Sequence, residues 1–589
     1  MNAPAAPGAE AGFRRRHLLL GWLGVCMIAA WLRRGQIAGY TLLDPDDHLR
    51  LVQVRDWLAG QGWFDLTQYR IQPPAGLAMH WSRLVDLPIA GLKLLFAPLI
   101  GGANAEKLAV TVAPLLPMGV AMAAVAVAVR RLVAPQAFAL AIAVFLCGHS
   151  LRGMWAPLRI DHHGWQLACL ALALMALTDP KRARGGAILG AATAVSLTIG
   201  LEMLLYLAVA GAAAALMWVH EGGQARRLAT YGASLAGGCA LGYLLFASWA
   251  NRAPVCDALS PVWLSAMAGA GALCVALTFL RTESWKLRLG AAALGGAVLA
   301  GGFALAWPQC LGRLEQVSPE LVQLWLGNVR EARPIYLHGY KVAVSVSALP
   351  VAGLIGYAIM VWRSRRDLAQ LIPWGAAAAL ALLGAGLLLW QSRAGPAAQL
   401  LAVPGATALG WLLVPWLRSS RFIPVQVFGV VIAFLLISGI LAQQALRLVP
   451  QKAQKPGPPN KSGLCQTLYG MKAVAQVPKG LVLTFVDLGP RLITVTHHDA
   501  VAGPYHRNGR DIIDIHHAFR GTPERAREIA FKRGVDYVLI CPGMPESTLY
   551  ASQAKDGFYM QLVRGQAPAW LTPVPLPKES PYRMWRVRR

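Results

Sequence analysis

The feature that most constrains this chain is a repetition. Apolar stretches of about 18–24 residues recur through its first three quarters, each long enough to cross a hydrocarbon core of about 30 Å. Hydropathy gives about thirteen of them, near 17–36, 106–129, 134–149, 164–178, 186–200, 203–219, 228–249, 262–280, 288–307, 344–362, 370–390, 398–417 and 422–447. In lipid every backbone polar group must be satisfied within its own segment, so such runs fold as helices. With 56% hydrophobic and 14% charged residues among 589, the chain reads as an integral membrane protein rather than a large soluble enzyme.

The basic residues set the orientation. Arg14–Arg16, Arg130-Arg131, DPKRARG at 179–185, Arg226-Arg227, RTESWKLR at 281–288, WRSRRD at 362–367 and RSSR at 418–421 fall on every second loop. The positive-inside rule puts all of them in the cytoplasm. The formal charge of +27 is then a topology signal facing anionic lipid headgroups, not a nucleic-acid surface. A second basic pair, Arg33-Arg34, follows the first apolar run without a small-residue cleavage site, so that run reads as an uncleaved span. An odd number of spans gives a cytoplasmic N-terminus and a C-terminal region on the far side, the periplasm if the membrane is a bacterial inner membrane.

The expected organisation is a transmembrane part at 1–450 with outer loops at 37–88, 149–163 and 308–343. A Pro/Lys/Gly linker follows at 451–462, then a soluble α/β domain at 463–589. There GLVLTFVDLG reads as a strand, TPERAREIAFKRG as a helix with Thr522 at its cap and Pro523 in its first turn, and VDYVLIC as a buried strand. Nine cysteines show no CxxC or Cys/His zinc spacing. Most lie in apolar segments, where a thiol acts as a small hydrophobe. Cys465 and Cys541 can pair if the C-terminal region is extracytoplasmic.

Ionisable residues beside membrane spans are costly and usually functional. The run Asp44-Pro45-Asp46-Asp47-His48 holds three carboxylates, which repel unless a cation or an arginine neutralises them. The plainer reading is a helix start, with Asp44 as cap and acids favoured by the dipole. The second outer connection is RIDHHGWQ at 159–166. Asp161 and His163 can direct an oxygen and a nitrogen toward one ion, and that set suits Mn²⁺ or Mg²⁺ with retained waters. The alternative is Asp161 capping the next span with solvated histidines. His162 reads as solvent-facing, and Arg159 as holding the loop or a phosphate. In the third loop, Glu331 within NVREARP is by default a surface ion pair. Arg393 is either a snorkelling interface arginine or a bidentate phosphate anchor.

Together these pieces resemble the catalytic subunit of an oligosaccharyltransferase, within the GT-C glycosyltransferase superfamily. The resemblance implies thirteen spans, a cytoplasmic N-terminus and an outer C-terminal domain. It implies a metal-binding aspartate in the first loop, where Asp44 with Arg50 and Asp46 ahead of VRDWL compete and Asp46 is favoured. It further implies an Asp-x-His pair at Asp161 and His163, a Val-x-Glu at Val329 and Glu331 followed by Pro334, and a phosphate-binding arginine at Arg393. The family's Trp-Trp-Asp-Tyr-Gly motif stands here as Phe485-Val486-Asp487-Leu488-Gly489, keeping only the Asp and Gly. Its aromatics help seat the hydroxyl residue of an Asn-x-Ser/Thr acceptor, so this chain suits another acceptor. The following segment, with His506 and Arg507, suits a sugar or phosphate as well as a peptide, or simply faces water.

The implied reaction moves a sugar or oligosaccharide from a polyprenyl-(di)phosphate donor to a glycan, lipid or protein acceptor with inversion. Asp46, Asp161 and His163 would hold Mn²⁺ or Mg²⁺ as Lewis acid, with Arg393 and Arg159 on the donor phosphate. Glu331 or one of Asp44, Asp46 and Asp47 would orient or deprotonate the acceptor. The rivals are a GT-C transferase moving one sugar to lipid or surface polysaccharide, and a transporter. Transport fits less well, because the acids lie at outer loop mouths and no repeated half is visible.

Overall fold

The computed structural model describes residues 15–42, 44–449, 464–465 and 467–589, so the linker expected at 451–462 lies outside the described residues. Six helices are long and apolar enough to cross a membrane: Gly102–Leu132, Gly222–Phe246, Trp285–Ala306, Tyr340–Ser364, Leu368–Leu387 and Ser392–Arg418. Ile423–Ile437 and Ile440–Leu448 make a seventh if counted as one span bent by 92°. Its bend falls at Gly439, whose φ of 76° suits a residue without a Cβ. Five shorter apolar helices accompany these, at Arg16–Leu32, Phe138–Cys147, His163–Leu177, Leu204–His220 and Pro261–Leu277. The chain is thus a multi-pass membrane protein, with six or seven spans by length and composition alone.

Some helices meet backbone to backbone. A Cβ on Gly356 would lie 1.9 Å from the Gly405 carbonyl oxygen, so Tyr340–Ser364 and Gly395–Arg418 close only through glycine. Trp285–Ala306 buries only Arg288 and leaves Leu294, Val298 and Leu305 exposed, as suits a helix facing lipid.

The first outer loop is more structured than the sequence announces. Helix Pro45–Leu58 buries Leu49, Leu51, Val52 and Val54, and also Asp47, His48, Arg50 and Gln53. Arg50 and Asp86, both 0% exposed at their side chains, pair at 2.6 Å, and Arg50 lies 4.6 Å from the Trp81 ring centroid. A two-stranded hairpin follows, β1 (Thr67–Gln68) with β2 (Leu77–Ala78). The loop then runs into an unforeseen helix, Asp86–Ile100, ahead of the span expected from 106. Its 15 residues make about 22 Å, short of a bilayer core.

The C-terminal region holds a five-stranded sheet of β3 (Leu481–Leu483), β4 (Asp499–Ala500), β5 (Tyr537–Ile540), β6 (Leu571–Val574) and β7 (Arg583–Val587), in the order β4-β3-β5-β7-β6. β3 runs parallel to β4 and β5, and β7 antiparallel to β5 and β6. Helix Pro523–Lys532 starts as expected, its Thr522 hydroxyl accepting the Arg525 N–H. Cys465 and Cys541 form a disulfide, and so do Cys256 and Cys310, which the sequence left among unremarkable cysteines.

This region is welded to the first outer loop. Ile71 bridges Ala500 beside β4, and Thr494 donates its hydroxyl to the His48 carbonyl at 3.1 Å. Leu49, Val52 and Trp81 share one core with Val482, Leu483 and Phe485. Asp257 adds a clamp: it receives Arg507 on both oxygens at 2.7 Å and contacts His506 Nε2 at 2.6 Å. Asp257→Ala leaves a largely buried arginine without its carboxylate, a change worth about 2–5 kcal/mol. Faster amide exchange in the 503–520 segment checks it, and unchanged exchange would refute the clamp.

Candidate functional site

The outer loops and the C-terminal region enclose a cavity of about 670 Å³. It is lined by Asp44 and Asp46 of the first loop, by His162 and His163 of RIDHHGWQ, and by Glu331, Arg393, Asp487 and Glu546. The sequence expected the two polar clusters to share a side of the membrane. The fold brings them into contact.

Asp44 fills both roles offered for it. It caps helix Pro45–Leu58 by accepting the Asp46 N–H at 3.2 Å, and it pairs with Arg159 at 2.6 Å. The same guanidinium lies 3.1 Å from Asp161 and 3.7 Å from Asp47, so one arginine answers three carboxylates. Asp47 is buried behind the cavity wall, where its Oδ1 accepts the Asp161 backbone N–H at 3.0 Å. Burial pushes its carboxyl up to about 8. Asp46 faces the cavity, and burial together with Asp161 and Asp44 raises it well above the carboxylate range.

Asp161 does not cap the following helix. The helix starts at His163 with no side-chain cap, after a connection in which buried Leu158 holds a φ of 75°. Such a backbone persists only where packing enforces it, commonly near a site. Asp161 instead lies between imidazoles, with His163 Nδ1 at 2.5 Å and His162 Nδ1 at 2.7 Å. Burial opposes its charge, but His163 and His162 win and hold it well below the usual range.

His162 corrects the sequence reading. It is buried, not solvated, and its Nε2 lies 2.9 Å from Glu202. Burial alone would discharge the ring, yet Asp161 and Glu202 on its two sides push it up to about 10. Glu202 was missed, although a lone acid in LTIGLEMLLYL at the end of an apolar run is the signal that polar membrane residues give. Gln166 also donates to it at 2.5 Å.

Asp161, His162 and His163 offer three ligand atoms within 4.8 Å of one another. A carboxylate–imidazole set of this kind, with the charge of Asp161 felt at Asp46, fits a divalent cation. His80, Asp257 and His506 form a second such group, but Asp257 is already committed to Arg507. His506 and Arg507, expected on the acceptor side, are therefore held by the clamp, though His506 still reaches the cavity. Arg393 and Glu331, which also line the cavity, stand 3.5 Å apart.

In the C-terminal wall, Glu546 accepts the backbone N–H groups of Val486 and Asp487, each at 3.0 Å. Asp487 is open to the cavity, and the desolvation it meets there together with the neighbouring Glu546 pushes its carboxyl up to about 8. An aspartate in the unfolded chain titrates near 3.9. The protonated form therefore contributes stability that is full below about pH 4 and lost as pH rises toward 8. The melting temperature should fall across that window and Asp487→Asn should flatten the fall. An equal fall in the variant would assign it elsewhere.

No protein-family model matches the chain, and no curated protein matches it. Solved structures match it by shape. The archaeal oligosaccharyltransferase AglB from Archaeoglobus fulgidus, in complex with an inhibitory peptide and a dolichol-phosphate, is similar with a TM-score of 0.65 and 14% identity, covering 94% of this chain and 72% of that one. The Archaeoglobus fulgidus oligosaccharyltransferase tethered to an acceptor peptide with the NVT sequon gives 0.67 and 16%, covering 96% and 74%. The same enzyme in complex with Zn and sulfate gives 0.59 and 15%, covering 90% and 68%. In fold, the chain is similar to these archaeal oligosaccharyltransferases.

Proposed function

We propose that this chain is a membrane glycosyltransferase that moves a sugar or oligosaccharide from a polyprenyl-(di)phosphate donor to an acceptor at the outer face of a bacterial inner membrane. In this reading thirteen helices span, the N-terminus is cytoplasmic, and residues 463–589 are periplasmic. The observation that carries it is Asp161 gripped between two imidazoles that line the cavity, with Arg393 lining the same cavity. Its support from outside is the shared fold with enzymes whose structures hold a dolichol-phosphate, an acceptor peptide or Zn.

Asp46, Asp161 and His163 would hold a divalent metal, Mn²⁺ or Mg²⁺, which would supply Lewis-acid charge against the leaving phosphate. The chain's own residues do the rest. Asp47 and Arg159 fix the Asp161 loop from behind, so Arg159 serves the cluster rather than the donor. Charged His162, with both ring nitrogens held by Asp161 and Glu202, puts a fixed positive charge on the cavity wall. Arg393 meets the phosphate through its paired N–H groups. Glu331, or Asp46 or Asp44, orients the acceptor and takes its proton. Attack opposite the leaving group inverts the anomeric carbon.

Purified protein with a polyprenyl-linked glycan and Mn²⁺ should release free polyprenyl phosphate or diphosphate when acceptor is present, and chelation should stop it. Release that ignores the metal would sink the reading. A donor carrying a single sugar on a monophosphate separates the simpler GT-C transferase from the oligosaccharide enzyme. Transport is disfavoured, because the charged cluster lies in the outer loops and not at mid-span.

A further inference from the structure

The C-terminal wall of the cavity carries polar groups that the donor reaction does not use. Asp487 projects into the space, exposed, while the segment around it turns inward: Phe485, Val486 and Leu488 are each 0% exposed and pack in the core. The segment therefore offers the cavity a carboxyl group and no apolar surface. Beside it Glu546 is held in place by two backbone N–H groups and the Tyr550 hydroxyl. The third element is His516, which lines the same cavity at 1% exposure with neither ring nitrogen hydrogen-bonded. Buried polar groups in folded proteins nearly always have partners, so a bare imidazole on a cavity wall points to a ligand that supplies them. Trp325 adds an aromatic face on that cavity.

Resting on the transferase reading, we propose that this wall is the acceptor subsite and that the acceptor is a hydroxyl-bearing sugar, met by Asp487, Glu546 and His516, with Trp325 against the ring. A sugar hydroxyl both donates and accepts, and so does a neutral imidazole through its two nitrogens. Burial and the nearby Arg520 push His516 down to about 3, which keeps it neutral. A carboxylate beside a carboxyl group gives a matching mixture of acceptor and donor for neighbouring hydroxyls. An Asn-x-Thr peptide would bring a methyl group to a wall whose Phe485, Val486 and Leu488 are turned away. In the reaction the acceptor oxygen forms the bond to the anomeric carbon and the carbon–oxygen bond to phosphate breaks. The phosphate leaves with the electron pair, and the hydroxyl proton passes to the carboxylate that orients it.

The test supplies the purified protein, donor and Mn²⁺ with methyl glycosides of glucose, galactose, mannose and N-acetylglucosamine, or with an Asn-Ala-Thr hexapeptide. At least one glycoside should stimulate release of the polyprenyl phosphate and appear with the donor sugar attached by mass. Asp487→Ala and His516→Phe should raise the KM for that glycoside roughly tenfold each, the worth of one hydrogen bond to a charged or buried partner, and leave the KM for the donor in place. Asp487 is exposed to the cavity, so its variant carries the test if His516→Phe fails to fold. Stimulation by the peptide and by no glycoside overturns the acceptor assignment and leaves the transferase standing. Stimulation by none of them overturns it too, and no metal-dependent release under any condition removes the transferase itself. A glycoside KM unmoved by both variants places the acceptor elsewhere in the cavity.

Discussion

Asp161→Ala is expected to lower donor turnover by at least about a thousandfold, roughly 4 kcal/mol of transition-state stabilisation, while the protein stays folded. The carboxylate holds His163 and His162 and faces Arg159, so its removal strips the common partner from three cationic or potentially cationic groups at once. The fold survives because Arg159 keeps Asp44 at 2.6 Å and His162 keeps Glu202 at 2.9 Å. Asp161→Asn preserves the shape and should be nearly as damaging, since an amide cannot supply the charge. Chelation should mimic the loss in the parent protein, with added Mn²⁺ restoring the parent and not the variants. Full turnover by Asp161→Ala would remove the metal assignment.

The largest expected stability effect lies outside the cavity. Arg50→Met leaves Asp86 buried with only Arg83, 3.7 Å away, and should cost about 3–5 kcal/mol. Burial already raises the Asp86 pKa against the pull of Arg50 and Arg83. The double variant Arg50→Met/Asp86→Leu should recover much of the loss, because removing both charges also removes the desolvation penalty. Thermal melts in detergent read both, and a single variant melting with the parent would show that the pair is dispensable.

Membrane physics explains what was legible beforehand. Lipid permits few backbone solutions, so apolar length and arginine placement announced a multi-pass chain and set both acid clusters on one side. Asp161 and His163 could be paired from the sequence because only His162 separates them. Glu546 and His516 could not, since each lies in an ordinary-looking helix and gains meaning only from the cavity it lines. Helix Asp86–Ile100 escaped notice because Asp86, Lys93 and two prolines interrupt its apolar run. His162 was misjudged for a related reason: its second partner, Glu202, is 40 residues away.

The bond between Thr494 and the His48 carbonyl joins groups 446 residues apart. At ribosomal speeds of about 5–20 residues per second, the first outer loop therefore waits roughly 20–90 s for the strands that complete its core. During that interval Leu49, Val52 and Trp81 lack the partners that cover them. A chain cut short before Arg583 also lacks β7, the strand that joins β5 to β6, and with it Met584, Trp585 and Val587 of the same core. Such a truncation leaves that core open rather than giving a shortened enzyme.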